Sequence, residues 1–284
     1  MSNRAGIALR IGYLGDSFHG AQIQPRLRTV QGELVKAVRK LTWAQKSEKQ
    51  PVQMASRTDA GVHVRLNAAF FEIPESAWED AGAEGLLFAL SHHLEDDISL
   101  IDVNRIDDWI PRHASSRTYR YRIECIEGWK GAQDDFAKWC AMFEGQHDFS
   151  DFCRHSPSQG RVRKIDVCRP WESAGRIVGI EVIAGSFAWN QIRRIASALH
   201  GINCGMFTLE EVQESINSPN GSFFGLAPAE WLTLWSVEWP DLSSLDECEH
   251  ELNPPEGNLR RWRSMARDEQ KMMLHREWNH LGCR

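Results

Sequence analysis

Two short apolar segments, separated by a polar loop, constrain the fold of this chain most. Residues 52–55 and 67–73 are short, apolar and rich in β-prone side chains, which predicts two strands. Residues 57–63, Arg-Thr-Asp-Ala-Gly-Val-His, lie between them and are predicted to form a loop on a rigid base. Asp59 stands there two residues after Arg57. The loop is therefore either a turn, in which Asp59 bonds its own backbone, or an active-site loop that presents a carboxylate.

The length and composition are those of a soluble globular protein. The 284 residues suffice for one large domain or two of ordinary size, and 42% of them are hydrophobic and 25% charged. Because the sequence has no apolar run of membrane-spanning length and no leader-like N-terminus, we expect a cytoplasmic protein without a membrane partner. The seven cysteines form no Cys-x-x-Cys pair and are expected to be reduced thiols. A zinc site built from Cys153 and His155 with distant partners is the alternative.

The charge distribution bears on nucleic-acid binding. The formal net charge of −6 argues mildly against a general nucleic-acid binder, whose phosphate contacts favour an excess of Lys and Arg. Acidic residues are dense in 72–108 and 238–256. The arginines gather in four other groups, at 57–65, 112–122, 154–164 and 193–194. If the fold brings these groups together they form a positive cleft, and otherwise each arginine is a solvated surface residue.

The central loop resembles a known family signature. Residues 56–63, Ser-Arg-Thr-Asp-Ala-Gly-Val-His, are similar to the loop Gly-Arg-Thr-Asp-Ala-Gly-Val-His of the tRNA pseudouridine synthase A family, with Ser56 in place of the usual Gly. The resemblance implies that Asp59 is the catalytic nucleophile or base. It gives Arg57 two candidate roles, a phosphate contact or help in moving the target base out of the stem.

The beginning of the chain resembles the same family. Residues 7–13 alternate in polarity and predict a strand. Residues 29–34, Thr-Val-Gln-Gly-Glu-Leu, match the family pattern in full, whereas Leu14 and Ala21 stand where the family has Asp and usually Trp. Thr29 is predicted to cap a helix with one apolar stripe, formed by Val30, Leu34, Val38 and Leu41.

A predicted strand at residues 116–125 carries aromatic and charged side chains on opposite faces. Tyr119 and Tyr121 lie on one face, and Arg120 and Arg122 lie on the other. Tyr121 is interpreted as a core residue. Tyr119 matches the active-site Tyr of the family, which implies that it stacks on the target base and helps to move its proton.

Residues 187–194, Phe-Ala-Trp-Asn-Gln-Ile-Arg-Arg, form a further block, with a helix predicted from about Phe187. The family pattern here is Phe-x-His-His-Met-Val-Arg-Asn. The match at Arg193 implies a guanidinium that pairs with the catalytic Asp, whereas the residues alone indicate an arginine that reaches past an apolar stripe to solvent. Trp189 and Asn190 replace the two His, a change that we expect to alter substrate contacts.

Residues 225–234 resemble the family segment Ala-Pro-Ala-x-Gly-Leu-x-Leu. The resemblance implies that Leu232 forms the apolar floor of the base pocket. Trp231 replaces a Gly beside that pocket. We assign three further arginines of the four groups to RNA binding, namely Arg65, Arg117 and Arg194.

The remaining predicted elements are both helices and strands. Thr208 and Glu211 form a capping box at the start of a short helix. Residues 258–281 are helix-prone and rich in Arg and Trp, which indicates a packed terminal helix or an added RNA contact. Two more helices and three more strands are predicted, the helices at 84–94 and 132–143 and the strands at 98–103, 161–169 and 177–184.

The resemblance spans about residues 7–240 and implies an α+β fold. It implies two related halves, each a mainly antiparallel sheet backed by helices, with the active-site cleft between them. We place the halves at residues 1–108 and 109–240 and a helical tail at 241–284, outside the resemblance.

The resemblance also implies an activity, the isomerisation of uridine to pseudouridine in the anticodon stem-loop of tRNA, at the family positions thirty-eight to forty. It implies a homodimer without metal, nucleotide or other cofactor, and the sequence shows no phosphate loop or dinucleotide fingerprint. Two alternatives stay open. One is a catalytically silent tRNA-binding protein of the same fold. The other is an Asp-based hydrolase, which would need a metal cluster or a second carboxylate near Asp59.

Overall fold

The computed structural model describes residues 4–41, 51–154, 160–173, 175–245 and 268. The described residues up to Ser243 belong to one compact unit. Two features predicted from the sequence lie outside the described part of the chain, namely the helix at 258–281, apart from residue 268, and His155 of the alternative zinc pair.

One large sheet dominates the unit. Ten strands are present in the described residues: β1 (Arg4–Tyr13), β2 (Gln53–Met54), β3 (His63–Pro74), β4 (Ile98–Arg105), β5 (Ser116–Tyr121), β6 (Gly145–Asp148), β7 (Val162–Ile165), β8 (Val167–Ser173), β9 (Arg176–Ala184) and β10 (Leu232–Glu238). Eight of them form one sheet in the order β4-β1-β3-β10-β5-β9-β8, with β2 beside β3, and β6 pairs with β7 in a separate sheet. The hydrogen-bonded pairs are antiparallel except β3–β10, which is parallel with Thr233 opposite His63.

The large sheet joins the two predicted halves. Strands β1 to β4 precede residue 108, and β5 and β8 to β10 follow it; the parallel β3–β10 pair connects the two groups. The predicted α+β fold with a mainly antiparallel sheet is confirmed. The two groups share one continuous sheet, whereas the prediction gave each half a sheet of its own. The kinship of the halves and the boundary at residue 108 stay predictions.

Five α-helices are present in the described residues: α1 (Val30–Lys40), α2 (Glu75–Ser91), α3 (Phe136–Ala141), α4 (Gln191–Cys204) and α5 (Leu209–Asn217). Both predicted N-caps are confirmed. The Thr29 hydroxyl accepts a hydrogen bond from the Gly32 N–H at 3.2 Å. The Thr208 hydroxyl accepts one from the Glu211 N–H at 3.1 Å, while the Glu211 carboxylate accepts from the Thr208 N–H at 2.7 Å. The apolar stripe of α1 and its end is buried as predicted, at Val30, Leu34, Val38 and Leu41.

The predicted start of α4 is wrong by about four residues. The helix begins at Gln191 rather than near Phe187, because Asn190 has φ of 64° and lies in the left-handed region. Asn visits that region more readily than most residues do. The left-handed residue turns the chain just before the helix.

Other predicted boundaries differ for similar backbone reasons. β5 ends at Tyr121 instead of continuing to residue 125, because the next N–H, that of Arg122, donates to the Trp231 carbonyl at 3.0 Å and a 3₁₀ turn follows. The helix predicted at 84–94 is longer and begins at Glu75, with a break at Gly82, where φ is 60°. The helix predicted at 132–143 is confined to α3.

Candidate active site

The loop between β2 and β3 is a tight turn whose ends are held by the chain before α1. The Val62 N–H donates to the Asp59 carbonyl at 3.3 Å, and the Ala21 N–H donates to the Thr58 carbonyl at 3.0 Å. Gly20 lies so close that a Cβ there would be 3.0 Å from the Thr58 carbonyl oxygen. The backbone therefore forms a turn through the Asp59 carbonyl, while the Asp59 side chain lines a cleft. The active-site role of the loop stays a prediction.

Buried polar groups fix the base of this loop. Asn67, which is fully buried, accepts from the Ser56 N–H at 3.1 Å and donates to the Ser56 carbonyl at 3.0 Å. The hydroxyls of Tyr13 and Thr58 are hydrogen-bonded at 2.8 Å. Burial raises the pKa of Tyr13 to about 12, so that its phenol stays neutral in this bond. The loop is thus held in one conformation before any substrate arrives.

The Asp59 carboxylate is bound by a different donor at each oxygen. Arg193 on α4 donates from Nη1 to Oδ2 at 3.2 Å, and Trp189 donates from its indole Nε1 to Oδ1 at 3.0 Å. A bond of 2.7 Å from Arg193 Nε to the Ala227 carbonyl fixes the guanidinium. The Asp59 side chain is 32% exposed, against 14% for Arg193. The carboxylate is therefore oriented by its partners and still open to the cleft.

Trp189 is itself held in place. The Arg154 guanidinium carbon lies 4.1 Å from the centre of the indole ring, a cation–π distance. The Arg154 N–H also donates to the Trp189 carbonyl at 2.8 Å. The sequence had marked Trp189 only as a departure from the family pattern. No signal in the sequence pointed to this contact, because Trp189 and Asp59 lie 130 residues apart and Trp189 precedes the helix that carries Arg193.

Tyr119 and Leu232 form part of the cleft wall. Tyr119 lies on β5 with its ring edge-on to Phe187, at 5.3 Å between ring centres. Leu232 begins β10, and both side chains are largely buried yet line the cleft. Burial raises the pKa of Tyr119 far above its ordinary value, and the smaller effect of the nearby Arg117 does not offset this. Tyr119 is therefore a neutral phenol at neutral pH.

The cleft has a volume of about 900 Å³ and is rich in arginine. Each of the four arginine groups of the sequence contributes at least one lining side chain: Arg57, Arg112, Arg117, Arg163 and Arg193. Among the described residues that line the cleft, Asp59 is the only carboxylate. The protein is acidic overall, but this cleft carries a local excess of positive charge, which favours an anionic ligand.

Arg117 donates three side-chain hydrogen bonds, more than any other described arginine that lines the cleft. Its Nε donates to the Ser56 hydroxyl at 3.0 Å, its Nη2 to the Arg112 carbonyl at 3.2 Å, and its Nη1 to the Gly185 carbonyl. Burial lowers the pKa of Arg117 below its ordinary value, but a guanidinium stays charged at neutral pH. The Ser56 hydroxyl thus has a function that the usual Gly could not supply.

The structure does not bring Arg65 and Arg194 to the cleft wall. Arg65 lies over the Trp235 ring, with 5.1 Å from its guanidinium carbon to the ring centre. Arg194 lies over the Phe223 ring at 4.8 Å and donates to the Asp151 carbonyl at 3.5 Å. RNA binding by these two arginines stays a prediction.

The other departures from the family pattern lie around the loop and the pocket. Ala21 is buried against the loop, where its N–H binds Thr58. Leu14 is 58% exposed, and its N–H donates to the Asp97 carbonyl at 3.0 Å. Trp231 is half-buried and precedes Leu232, with its carbonyl bound to Arg122. The larger side chain of Trp231 is accommodated beside the core.

Within the described ranges, no group of three or more His, Cys, Asp or Glu side chains is arranged to hold a metal ion. Over the same part of the chain, no helix has the length and apolar character needed to cross a membrane.

Comparisons with known proteins relate the chain to one family. A family model described as tRNA pseudouridine synthase matches residues 139–240. A Thermococcus kodakarensis protein named tRNA pseudouridine synthase A is 36% identical over 239 residues, covering 83% of this chain and 85% of that protein. A Bacillus licheniformis protein of the same name is 30% identical over 250 residues, covering 80% of this chain and 96% of that protein.

A further relative and one solved structure complete the comparison. The Thermococcus gammatolerans tRNA pseudouridine synthase A is 37% identical over 239 residues, covering 83% of this chain and 85% of that protein. A crystal structure of a pseudouridylate synthase superimposes with a TM-score of 0.33 and 10% identity over 70% of this chain and 59% of that one, which is too distant to support an argument. From the sequence relatives, the chain belongs to the tRNA pseudouridine synthase A family, whose members are isomerases that convert uridine to pseudouridine.

Proposed function

We propose that this protein isomerises uridine to pseudouridine in the anticodon stem-loop of tRNA, at the family positions thirty-eight to forty, with Asp59 as the catalytic carboxylate. The observation that carries the proposal is the Asp59 carboxylate, bound by Arg193 and Trp189 and open to an arginine-lined cleft. The same carboxylate lies in the loop that matches the family signature.

The reaction needs no electron transfer and no cofactor. The C1′–N1 bond of uridine breaks, the uracil turns, and a C1′–C5 bond forms, while C5 loses a proton and N1 gains one. Asp59 acts by attack on the ring, by attack on C1′ or by removal of the C2′ proton. Each of these routes requires an ionised carboxylate in contact with the nucleotide. Arg193 and Trp189 supply the donors that orient the carboxylate.

The target nucleotide enters the cleft as a flipped base. Leaving the stack costs a few kcal/mol, and stacking on an aromatic ring returns roughly 1–3 kcal/mol. In the proposal Tyr119 stacks on the uracil and Leu232 forms the apolar floor. Because Tyr119 is a neutral phenol, it accepts the C5 proton only if it passes its own hydroxyl proton to another acceptor. We therefore assign stacking as its main role.

Arginines hold the RNA strand against the cleft. Arg57 and Arg112 are exposed and line the cleft, which suits contacts to phosphate. Arg117 contributes positive charge from a fixed position. Because these contacts are to phosphate, we expect the affinity for tRNA to fall steeply as the salt concentration rises. We further propose a cytoplasmic homodimer that binds one tRNA across its two copies, an arrangement supported by the family resemblance.

The test is the pseudouridine content of an unmodified tRNA, mapped by position after incubation with the protein. We expect new pseudouridine in the anticodon stem-loop with the wild type and none with Asp59→Asn. Asp80→Asn on an exposed turn of α2 is the matched control and should behave as the wild type.

The other outcomes are equally informative. RNA binding without product from the wild type would favour the catalytically silent tRNA-binding protein. Product at other tRNA positions would overturn the proposed target, and product from Asp59→Asn would overturn the proposed carboxylate.

A further inference from the structure

We propose that Trp189 is a positioning residue for the isomerisation: its indole N–H holds Oδ1 of Asp59, while Arg193 holds Oδ2, and together they aim the carboxylate at the nucleotide. The inference rests on the proposed function, in which Asp59 is the catalytic carboxylate. It assigns a task to a residue that replaces one of the two His of the family pattern.

The two donors approach the carboxylate independently. Trp189 reaches Oδ1 at 3.0 Å, and Arg193 reaches Oδ2 at 3.2 Å. Two bonds at different oxygens limit rotation of the carboxylate about its Cβ–Cγ bond, which one bond would leave free. A group held in its reactive orientation before the substrate arrives does not have to be ordered in the transition state.

The position of the indole is itself determined by the fold. The left-handed Asn190 turns the chain immediately before α4. The Arg154 N–H binds the Trp189 carbonyl at 2.8 Å, and the Arg154 guanidinium covers the ring at 4.1 Å. With its backbone bonded and its ring stacked, Trp189 presents the N–H as a fixed donor rather than as a mobile surface group.

An indole differs from an imidazole in a way that matters here. Indole Nε1 is a donor only and is neutral at every ordinary pH, whereas a His near its usual pKa of about 6.5 changes both charge and donor pattern. Trp189 therefore offers Asp59 the same hydrogen bond across the physiological pH range. It also adds no positive charge, so Arg193 is the one cation that contacts the carboxylate among the described residues.

Trp189 is 42% exposed and lines the cleft, which leaves contact with the bound base as the alternative role. The two roles differ in kinetics. A residue that positions the carboxylate acts in the transition state and changes kcat, whereas a residue that only binds the ground state changes KM.

The experiment compares wild type, Trp189→Phe and Trp189→His by steady-state release of tritium from C5 of uridine-labelled tRNA. Phe keeps an aromatic ring for Arg154 but lacks the N–H, and we expect kcat to fall between about tenfold and a hundredfold, the usual size for a lost hydrogen bond to a charged group, with KM within about twofold. His restores a ring N–H, and its kcat should exceed that of the Phe variant.

Trp171→Phe is the matched control, because Trp171 also lies near an arginine, with 5.5 Å from the Arg120 guanidinium carbon, but does not line the cleft. Its kinetics should equal those of the wild type. An unchanged kcat in Trp189→Phe, or a rise in KM with kcat unchanged, would overturn the positioning role.

A measurement without turnover separates this inference from the proposed function. The indole ¹⁵N–¹H signal of Trp189, assigned by its loss in Trp189→Phe, should shift in Asp59→Asn, because the accepting oxygen loses its charge. A signal that does not shift would overturn the inference by itself. Activity retained in Asp59→Asn would overturn the proposed role of Asp59 as the catalytic carboxylate, whatever the indole signal does.

Discussion

Two carboxylates of this protein, Asp59 in the cleft and Glu181 in the sheet, have similar partners but very different surroundings. Glu181 on β9 accepts from Arg120 Nε at 2.7 Å and from Arg169 Nε at 3.0 Å. Asp59 accepts from Arg193 and Trp189 at similar distances. The Glu181 side chain is 6% exposed and that of Asp59 is 32% exposed. Charged partners alone therefore do not identify a functional carboxylate.

The surroundings explain the difference. Burial by itself raises the pKa of Glu181, but hydrogen bonds from Arg120 and Arg169 outweigh it and hold the pKa below its ordinary value. Arg120 is further fixed over the Trp235 ring at 3.9 Å. Glu181 is thus a closed ion-pair site across three strands, β5, β8 and β9. Asp59 keeps an open side toward the cleft, and that open side is what a substrate requires.

Arg193→Met should have the largest effect on activity and test the open site. The variant removes the guanidinium from Asp59 and keeps a long apolar side chain. We expect kcat for pseudouridine formation to fall about a hundredfold, as for loss of a hydrogen bond between charged groups. The free energy of unfolding should fall by only about 1 kcal/mol, the cost of the unpaired Ala227 carbonyl.

Arg105→Met is the control for this change, because Arg105 pairs with Glu75 at 2.5 Å on the surface, away from the cleft residues. It should alter neither kcat nor tRNA affinity. Equal losses of kcat in the two variants would show that charge removal, rather than the Asp59 contact, lowers activity.

Glu181→Gln should show the opposite pattern, with loss of stability and unchanged chemistry. The variant leaves Arg120 partly buried without its counter-charge, and breaking a buried pair costs about 3–5 kcal/mol. Because Gln still accepts a hydrogen bond and Arg169 is 62% exposed, we expect a loss of about 2 kcal/mol in urea unfolding. The kcat of the folded variant should equal that of the wild type.

The pH dependence of this loss follows from the direction of the Glu181 pKa. Its folded pKa is below its unfolded value of about 4.5, so its stabilisation is fully present above pH 4.5 and is lost as pH falls through the folded pKa. The difference in unfolding free energy between wild type and Glu181→Gln should be constant from pH 8 to 5 and shrink below about pH 4.5. A difference that grows with acid would contradict the assignment.

The sequence predicted the site better than it predicted the sheet. Asp59 and Arg193 are in contact although 134 positions separate them. The sequence predicted this contact because the family resemblance implied it. The parallel β3–β10 pair was missed, since alternation predicts strands but not which strands become neighbours. The bond from Trp189 to Asp59 was missed because the family pattern has His there, and local chemistry cannot reveal a partner 130 residues away.

Ser56→Gly, which restores the usual family residue, should have the smallest effect and extends the comparison to a half-buried cation, Arg117. Arg117 has three acceptors, the Ser56 hydroxyl and the carbonyls of Arg112 and Gly185. Loss of one of the three acceptors should lower the free energy of unfolding by about 0.5–1 kcal/mol, because the other two still bind the guanidinium. If Arg117 helps to hold RNA, its looser position should weaken tRNA binding by about two- to fivefold and leave kcat unchanged.

Ser56→Ala separates the hydroxyl from the backbone freedom that Gly adds. Equal losses of tRNA affinity in the Ala and Gly variants would assign the effect to the bond with Arg117 Nε. A loss of tRNA affinity in the Gly variant alone would assign the effect to the freer loop backbone. The two Asn67 hydrogen bonds to the backbone of residue 56 would then not suffice to hold the loop. A tenfold loss in both variants would contradict the redundancy of the three acceptors, because one neutral acceptor among three cannot contribute that much unless Ser56 itself contacts the RNA.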